Sequence, residues 1–334
     1  MNADILKRLM RAIASGSAQD TERVARKVID AERETGHTKL AASLQAILDR
    51  PRKASHPASG ASDAPLPFRE LPLSRRHGDL LATTIPRESL EHHMVLPADV
   101  ECRFARIERE YAARERLGIY GLRPRKTILL YGPPGCGKSL GAKRLAWNTG
   151  LPLVKVRFDA LISSYFGESA ANLRTVFDAA RERPCLLLLD ECDFIARSRT
   201  QARDIGEASR IVGALLLLME EYDSPGLLVA TTNVESSLDE ALFRRFDEVL
   251  FVPPPGPDEI RKLLMLSLSA VLVADDLDWE GLVSGLCGQP AAIVVKVAQD
   301  AAKAVVLAGE KILTSAHVRG ALDDVKRGGE RGTR

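Results

Sequence analysis

The sequence lacks several features that define whole classes of protein. Its five cysteines are odd in number and scattered, and no C-x-x-C pair indicates a zinc site, so a reducing compartment fits best. The apolar stretch 211–219 is far too short to span a bilayer, and the segment that begins at Ile5 is amphipathic and interrupted by charges, unlike a signal peptide. These absences predict a cytoplasmic protein with no membrane partner.

The chain also lacks an excess of charge of either sign. Its 47 lysine and arginine residues nearly balance 45 aspartate and glutamate residues, giving a net charge of +2. No global field therefore attracts nucleic acid or an anionic membrane, and nucleic acid is not an expected partner. The sequence contains no H-E-x-x-H signature of a metallopeptidase.

The first part of the chain divides into a helical segment and a linker. Residues 1–50 have helical spacing but few large apolar groups, which predicts a small helical N-terminal module that packs on something else. We interpret it as an interaction module; the alternative is a structural extension of the next domain. Residues 51–75 begin with a stretch rich in Pro, Ser, Ala and Gly, which predicts a flexible linker.

The remainder predicts an α/β domain followed by a smaller one. Apolar runs near 127–131, 153–157, 185–189, 227–231 and 248–252 alternate with helical patterns across residues 76–252. This alternation predicts a parallel five-stranded sheet sandwiched by helices. After a proline-rich break, helical spacing alone continues, so we expect a small all-helical lid domain over 253–326 and a disordered tail over 327–334.

A glycine-rich motif follows the first of these apolar runs. The sequence Gly-Pro-Pro-Gly-Cys-Gly-Lys-Ser occupies residues 132–139 and opens a helical pattern. Glycines let backbone amides turn toward an anion, Lys138 can reach the β and γ phosphates, and the Ser139 hydroxyl is placed to ligate Mg²⁺. The motif therefore predicts a nucleotide-phosphate site that requires ATP and Mg²⁺.

Two carboxylates follow the fully apolar run Leu186–Leu189. Because this run predicts a buried strand, Asp190 and Glu191 emerge at its carboxyl end, where such sheets bind ligands. Asp190 would hold Mg²⁺ through the water shell of the ion, Ser139 would ligate it, and Glu191 would orient and activate the water that attacks the γ phosphate. The predicted nucleotide-binding residues are Gly132, Pro133, Pro134, Gly135, Cys136, Gly137, Lys138, Ser139, Leu140 and Asp190.

Polar residues near the last two predicted strands complete the candidate site. Asn233 follows the run 227–231 and could position the attacking water, although an asparagine is also favoured by the following turn. Arg244 and Arg245 precede the last strand. They are either solvated surface charges or arginine fingers that meet the charge developing on the γ phosphate.

These motifs, in their order, resemble those of the AAA+ ATPases, and within them the AAA clade that contains katanin and spastin. The resemblance spans about residues 75–326 and rests on Gly-Pro-Pro-Gly-Cys-Gly-Lys-Ser, Leu-Leu-Leu-Leu-Asp-Glu, Thr-Thr-Asn and Phe-Arg-Arg-Phe-Asp. It implies a ring of identical subunits, usually a hexamer. In such a ring Arg244 and Arg245 complete the site of the neighbouring subunit, so catalysis requires assembly.

The resemblance also implies residues that grip a protein client in a central pore. Tyr165, with Phe166 beside it, matches the position of the family's pore aromatic, which offers a large apolar surface to many sequences. The alternative for both is packing beneath a helix start. Arg203 is the candidate in a second pore loop, where a solvated charge is the alternative.

The sequence departs from the family pattern at two places. The stretch 288–292 has no arginine to touch nucleotide, and Pro290 stands where the clade has an acid. Lys155 lies on the strand 153–157, which has no asparagine of the kind that restrains the catalytic glutamate in many members. The family also places the loop 118–121 against the adenine.

The sequence as a whole predicts an ATP-hydrolysing motor that remodels, unfolds or threads a protein client through a ring pore. Three alternatives stay open: an ATPase subunit that serves a separate subtilisin-like peptidase, bound through residues 1–50; a nucleotide-switched scaffold with little turnover; and a DNA-directed protein. The last lacks a basic recognition module.

Overall fold

A computed structural model describes Leu73 and residues 80–162, 169–192, 205–233 and 243–331. The chain divides into two units, Met1–Ala64 and Pro65–Arg334, and every described residue belongs to the second. The predicted N-terminal module and most of the predicted linker therefore lie outside the described residues. Within the described part of the chain, no helix combines the length and the apolar character needed to cross a membrane.

A six-stranded sheet forms the centre of the larger domain. Its strands lie in the order β1-β3-β4-β5-β2-β6, and the five from β2 to β6 are mutually parallel, as predicted. The strands are β1 (Ala82–Ile85), β2 (Thr127–Tyr131), β3 (Leu153–Val156), β4 (Leu186–Leu189), β5 (Leu227–Thr232) and β6 (Glu248–Phe251).

The prediction of five strands was one short. The additional strand β1 pairs antiparallel with β3 at the sheet edge, with Ala82 opposite Val156. As an edge strand, β1 buries only its first residue fully, and its sequence Ala-Thr-Thr-Ile accordingly has no continuous apolar run. A four-residue strand is too short for an alternating pattern to be recognised in the sequence. The fully buried parallel strands were recognisable because they are apolar throughout.

Helices cover both faces of the sheet and produce two separate cores. Leu187 and Leu189 of β4 face one core, and Leu186 and Leu188 face the other, because successive side chains of a strand point to opposite faces. The helices of this domain are α1 (Ala98–Ala112), α2 (Arg114–Ile119), α3 (Lys138–Thr149), α4 (Phe158–Ile162), α5 (Ser169–Glu182) and α6 (Ile205–Glu220), preceded by a 3₁₀ turn (Arg87–Ser89).

The smaller domain has its own core, formed by helices α7 to α10. These are α7 (Pro257–Ser267), α8 (Trp279–Leu286), α9 (Ala291–Leu307) and α10 (Ser315–Arg331). The prediction of an all-helical domain was incomplete, because β7 (Leu272–Val273) and β8 (Ile312–Leu313) form a short parallel pair. Two residues per strand leave no periodic pattern in the sequence.

The last helix is longer than predicted. We expected helical structure to end near residue 325 and residues 327–334 to be disordered, but α10 continues to Arg331. Gly328 and Gly329 weaken helix propensity, which is why the sequence indicated an end.

Candidate nucleotide site

The loop between β2 and α3 needs glycine at three positions. Gly132, Gly135 and Gly137 have φ angles of 142°, 75° and 98°, in the region that side chains disfavour. A Cβ on Gly132 would lie 2.4 Å from the carbonyl oxygen of Val252, and one on Gly137 would lie 3.0 Å from Cε of Met94. The loop is therefore tightly enclosed, and side chains at these three positions would be disfavoured.

Lys138, the first residue of α3, reaches back over this loop. Its side chain is buried, and its Nζ donates hydrogen bonds to the carbonyl oxygens of Gly132 at 2.8 Å and Pro133 at 2.7 Å. A buried ammonium group at a helix N-terminus is suited to an anion, because the helix dipole adds to its charge. The loop, the helix start and Lys138 together form an anion-binding site.

Asp190 lies directly after β4 and accepts hydrogen bonds from three side chains. Ser139 Oγ and Thr231 Oγ1 each donate to its Oδ1 at 2.7 Å, and Lys155 Nζ donates to its Oδ2 at 2.6 Å. The predicted pair of Ser139 and Asp190 is thus in direct contact. Thr231 has a role that the sequence analysis missed; its position at the end of the strand beside β4 was the available signal.

Two opposing effects determine the pKa of Asp190. Burial alone would raise it, but the hydrogen bonds from Lys155, Ser139 and Thr231, with the charge of Lys155, outweigh burial and hold the pKa below its usual value. The carboxyl group is therefore ionised at neutral pH. A carboxylate beside a hydroxyl oxygen supplies the hard oxygen ligands that Mg²⁺ prefers, so Ser139 and Asp190 fit this metal.

Glu191 has an unusual backbone conformation. Its φ of 58° is the only left-handed value among the non-glycine residues that the structure describes. Its N–H donates to Thr231 Oγ1 at 2.9 Å, and the next N–H, of Cys192, donates to the Thr231 carbonyl at 2.8 Å. The turn after β4 is thus fastened to β5, and strain of this kind is typical of functional sites.

A cavity of about 250 Å³ opens beside the two carboxylates. It is lined by Lys155, Val156, Arg157, Phe158, Asp159, Asp190 and Glu191. The predicted metal ligand and the predicted general base therefore share one cavity at the carboxyl ends of β3 and β4. Asn233 follows β5, the strand between β2 and β4, and is half-buried at the same sheet edge.

Arg244 and Arg245 lie at the other edge of the sheet. Both are exposed, and the Arg245 carbonyl accepts a hydrogen bond from Thr127 Oγ1 at 3.2 Å. Thr127 begins β2, whereas the glycine loop follows Tyr131 at the other end of that strand. Along the extended strand, the backbone at Thr127 lies about 13 Å from the start of the glycine loop. The fold does not bring these arginines to the phosphate loop of their own chain.

The smaller domain contacts the loop through its backbone. The N–H of Ala292, in the first turn of α9, donates to the carbonyl oxygen of Gly135 at 3.0 Å. The side chain of Pro290 lies 3.1 Å from where a Cβ on Gly135 would be. The stretch without arginine thus reaches the nucleotide loop by main-chain contact.

The remaining predictions concern the loop assigned to the adenine and the residues assigned to the pore. The loop 118–121 leaves Ile119 and Tyr120 82% and 77% exposed, while Met94, which the sequence analysis did not select, contacts Gly137. Tyr165, Phe166 and Arg203 lie outside the described residues, so their assignment to pore loops stays a prediction.

The fold and the site together define a phosphate-loop ATPase domain followed by a smaller, mainly helical domain. The sequence model of the ATPase family associated with various cellular activities (AAA) matches residues 128–254. An uncharacterised AAA family ATPase, y4kL, from Sinorhizobium fredii is 33% identical over 324 residues, which are 97% of this chain and 95% of that protein. Proteasome-activating nucleotidase 2 from Haloferax volcanii is 32% identical over 234 residues, 68% of this chain and 57% of that protein. The chain belongs to the AAA family of ATPases, and its reaction is ATP hydrolysis.

Proposed function

We propose that the chain assembles with copies of itself into a ring, expected to be a hexamer, that hydrolyses Mg²⁺–ATP between neighbouring subunits and remodels, unfolds or threads a protein client. The observation that carries this proposal is the separation of Arg244 and Arg245 from their own phosphate loop. The backbone beside these arginines lies about 13 Å along the strand from the loop, and the Arg245 guanidinium pairs with Glu220 at 3.0 Å, which supports a role at the site of a neighbouring molecule.

Each residue of the proposed site has its own role, and the site draws on two neighbouring subunits. The loop 132–137 and Lys138 bind the phosphates, and Ser139 and Asp190 hold Mg²⁺, which when bound neutralises charge on the phosphate oxygens. Glu191 accepts the proton of the attacking water, and Asn233 helps to hold that water in line. Arg244 and Arg245 of the neighbour stabilise the charge that develops on the γ phosphate.

The likeness to katanin and spastin in the motifs, and to a protein named for activating a proteasome, supports a client of polypeptide nature. Tyr165 and Phe166 would contact this client in the pore, with Arg203 in a second loop. An extended polypeptide can be gripped without regard to sequence, because a tyrosine ring offers apolar area with few rotatable bonds.

The substitution Tyr165→Ala tests the threading part of the proposal. We expect this variant to hydrolyse ATP at a rate near that of the wild type but to lose the ATP-dependent unfolding of a fluorescent substrate protein. Tyr165→Phe is a matched control, since it keeps the aromatic ring, and it should unfold the substrate normally. Full unfolding by Tyr165→Ala would contradict threading through this residue.

The name of the Haloferax relative supports a second candidate, an ATPase subunit that serves a separate peptidase through residues 1–50. This candidate expects a specific peptidase to bind the full chain and not a chain that lacks residues 1–50. Deletion of these residues should then leave ATP hydrolysis intact. A loss of hydrolysis would instead indicate that the segment supports assembly.

A further inference from the structure

A lysine occupies the metal side of the site. Lys155 lies on β3 opposite Leu188 of β4, and Asp190 lies two residues further along the chain from Leu188. Side chains two residues apart along an extended strand point to the same face, so Asp190 follows Leu188 on the face of the sheet that Lys155 shares. The Lys155 Nζ reaches Asp190 Oδ2 at 2.6 Å, and the side chains of Lys155 and Asp190 are 44% and 9% exposed. The ammonium group therefore pairs with a buried carboxylate from a solvent-accessible position.

The pairing leaves neither oxygen of Asp190 without a donor. Oδ1 accepts from Ser139 and Thr231, and Oδ2 accepts from Lys155. The two hydroxyl groups are neutral and can turn their protons elsewhere when a cation arrives. Lys155 cannot adapt in this way, because its group is a fixed positive charge with three donors and no acceptor. A divalent cation held by Ser139 and Asp190, directly or through its water shell, therefore competes with an ammonium group for this carboxylate.

We propose that Lys155 is an internal counter-ion that competes with Mg²⁺ for Asp190 and so sets the free Mg²⁺ concentration at which the site takes up its nucleotide. The inference rests on the proposed magnesium site of Ser139 and Asp190. Lys155 is then a positioning residue: its hydrogen bond to Oδ2 fixes the orientation of the Asp190 carboxylate before the metal binds. Its flexible stem and solvent-facing position allow it to swing into the adjoining cavity, which Glu191 also lines.

The experiment measures nucleotide binding at a series of free Mg²⁺ concentrations and in EDTA, with a slowly hydrolysed fluorescent ATP analogue. The variants are Lys155→Met, which keeps the length of the side chain without the charge, Lys155→Arg, which keeps the charge, Asp190→Asn, and the double variant Asp190→Asn/Lys155→Met. Circular dichroism and thermal unfolding confirm that each variant is folded. ATP hydrolysis is not the readout.

The proposal predicts different results for each variant. Lys155→Met should lower the midpoint Mg²⁺ concentration about three- to tenfold, the size expected when one partly exposed charge is removed. Its affinity in EDTA should stay within about twofold of the wild type, and Lys155→Arg should keep the wild-type midpoint. Asp190→Asn should raise the midpoint, and Lys155→Met should have no further effect in that background, since the contested carboxylate is gone.

Two results would overturn the proposal while the magnesium site stands: an unchanged midpoint in Lys155→Met, or a loss of affinity in EDTA, which would mean that Lys155 binds the phosphates. An Asp190→Asn variant with the wild-type midpoint would instead show that Asp190 does not hold the metal. That result would overturn the magnesium site and the counter-ion role together.

Discussion

Glu191 is the residue at which backbone conformation and chemistry meet most closely. A left-handed φ costs a non-glycine residue of the order of 1 kcal/mol, and the surrounding hydrogen bonds to Thr231 maintain it. The turn carries the Glu191 carboxyl group away from β4 and into the wall of the cavity that Asp190 shares. The left-handed turn at Glu191 therefore directs two adjacent carboxylates, the proposed metal ligand Asp190 and the proposed base Glu191, to different positions in one cavity.

At this scale we predict that Glu191→Gln binds ATP but hydrolyses it about 10² to 10⁴ times more slowly, because an amide cannot accept the proton of the attacking water. Steady-state phosphate release and the binding of a fluorescent nucleotide measure the two properties separately. Glu115→Gln is a suitable control, since the Glu115 side chain is 90% exposed on α2 and should leave both properties unchanged. Rapid hydrolysis by Glu191→Gln would mean that another group is the base.

At the scale of secondary structure, the packing of α1 on α3 positions the phosphate loop. Gly141 of α3 is buried against α1, and a Cβ there would lie 2.9 Å from Cζ of Phe104 and 3.2 Å from Cδ1 of Leu130. Arg144, one helical turn further, donates to both carboxylate oxygens of Glu101 at 2.5 and 2.6 Å. The helix that begins with Lys138 is thus held by close contact and by a bidentate ion pair.

We predict that Gly141→Ala destabilises the protein by about 1–3 kcal/mol, because the added methyl group overpacks the contact with Phe104 and Leu130. The matched control is Gly213→Ala in α6, where a Cβ would meet nothing within 4 Å. There the higher helix propensity of alanine should stabilise the protein by up to about 1 kcal/mol. Thermal unfolding measures both, and an equal rise in midpoint for the two variants would contradict the tight packing of α1 on α3.

The same elements show what the sequence could and could not predict. The five parallel strands and the glycine loop were predictable, since a doubly buried strand is apolar throughout and the loop has a fixed residue pattern. The edge strand β1 and the β7–β8 pair were not, because they are short and lack periodic burial. Lys155 was noticed as a departure, but its contact with Asp190 depends on the register of β3 and β4, which no local pattern encodes.

Contacts between distant segments were also beyond the sequence. Met94 reaches Gly137, and Ala292 reaches Gly135, across separations of 43 and 157 residues. Both contacts bring to the phosphate loop a segment that contains no recognisable motif, so the sequence offered no reason to expect them. The position of Arg245 beside Thr127 is of the same kind, since it follows from the parallel pairing of β6 with β2.

At the scale of the whole molecule, the proposed catalysis requires the site to be divided between two subunits. The phosphate loop, Asp190 and Glu191 lie at the carboxyl edge of the sheet, and Arg244 and Arg245 lie at its amino edge. A repeating assembly that places the amino edge of one subunit against the carboxyl edge of the next joins unlike surfaces. Such heterologous contacts close into rings when the rotation permits it.

The most direct test mixes two inactive variants. Glu191→Gln removes the proposed base but keeps the arginines, and the double variant Arg244→Ala/Arg245→Ala keeps the proposed base but lacks the arginines. If one subunit completes the site of the next, an equal mixture should recover about one quarter of the wild-type ATPase rate, because half of the sites have the base and half of their neighbours supply the arginines. A mixture of Glu191→Gln with Lys138→Ala should recover nothing, since both changes disable the same half of the site. A mixture of the first pair that is no more active than its components, or an arginine double variant as active as the wild type, would contradict the shared site.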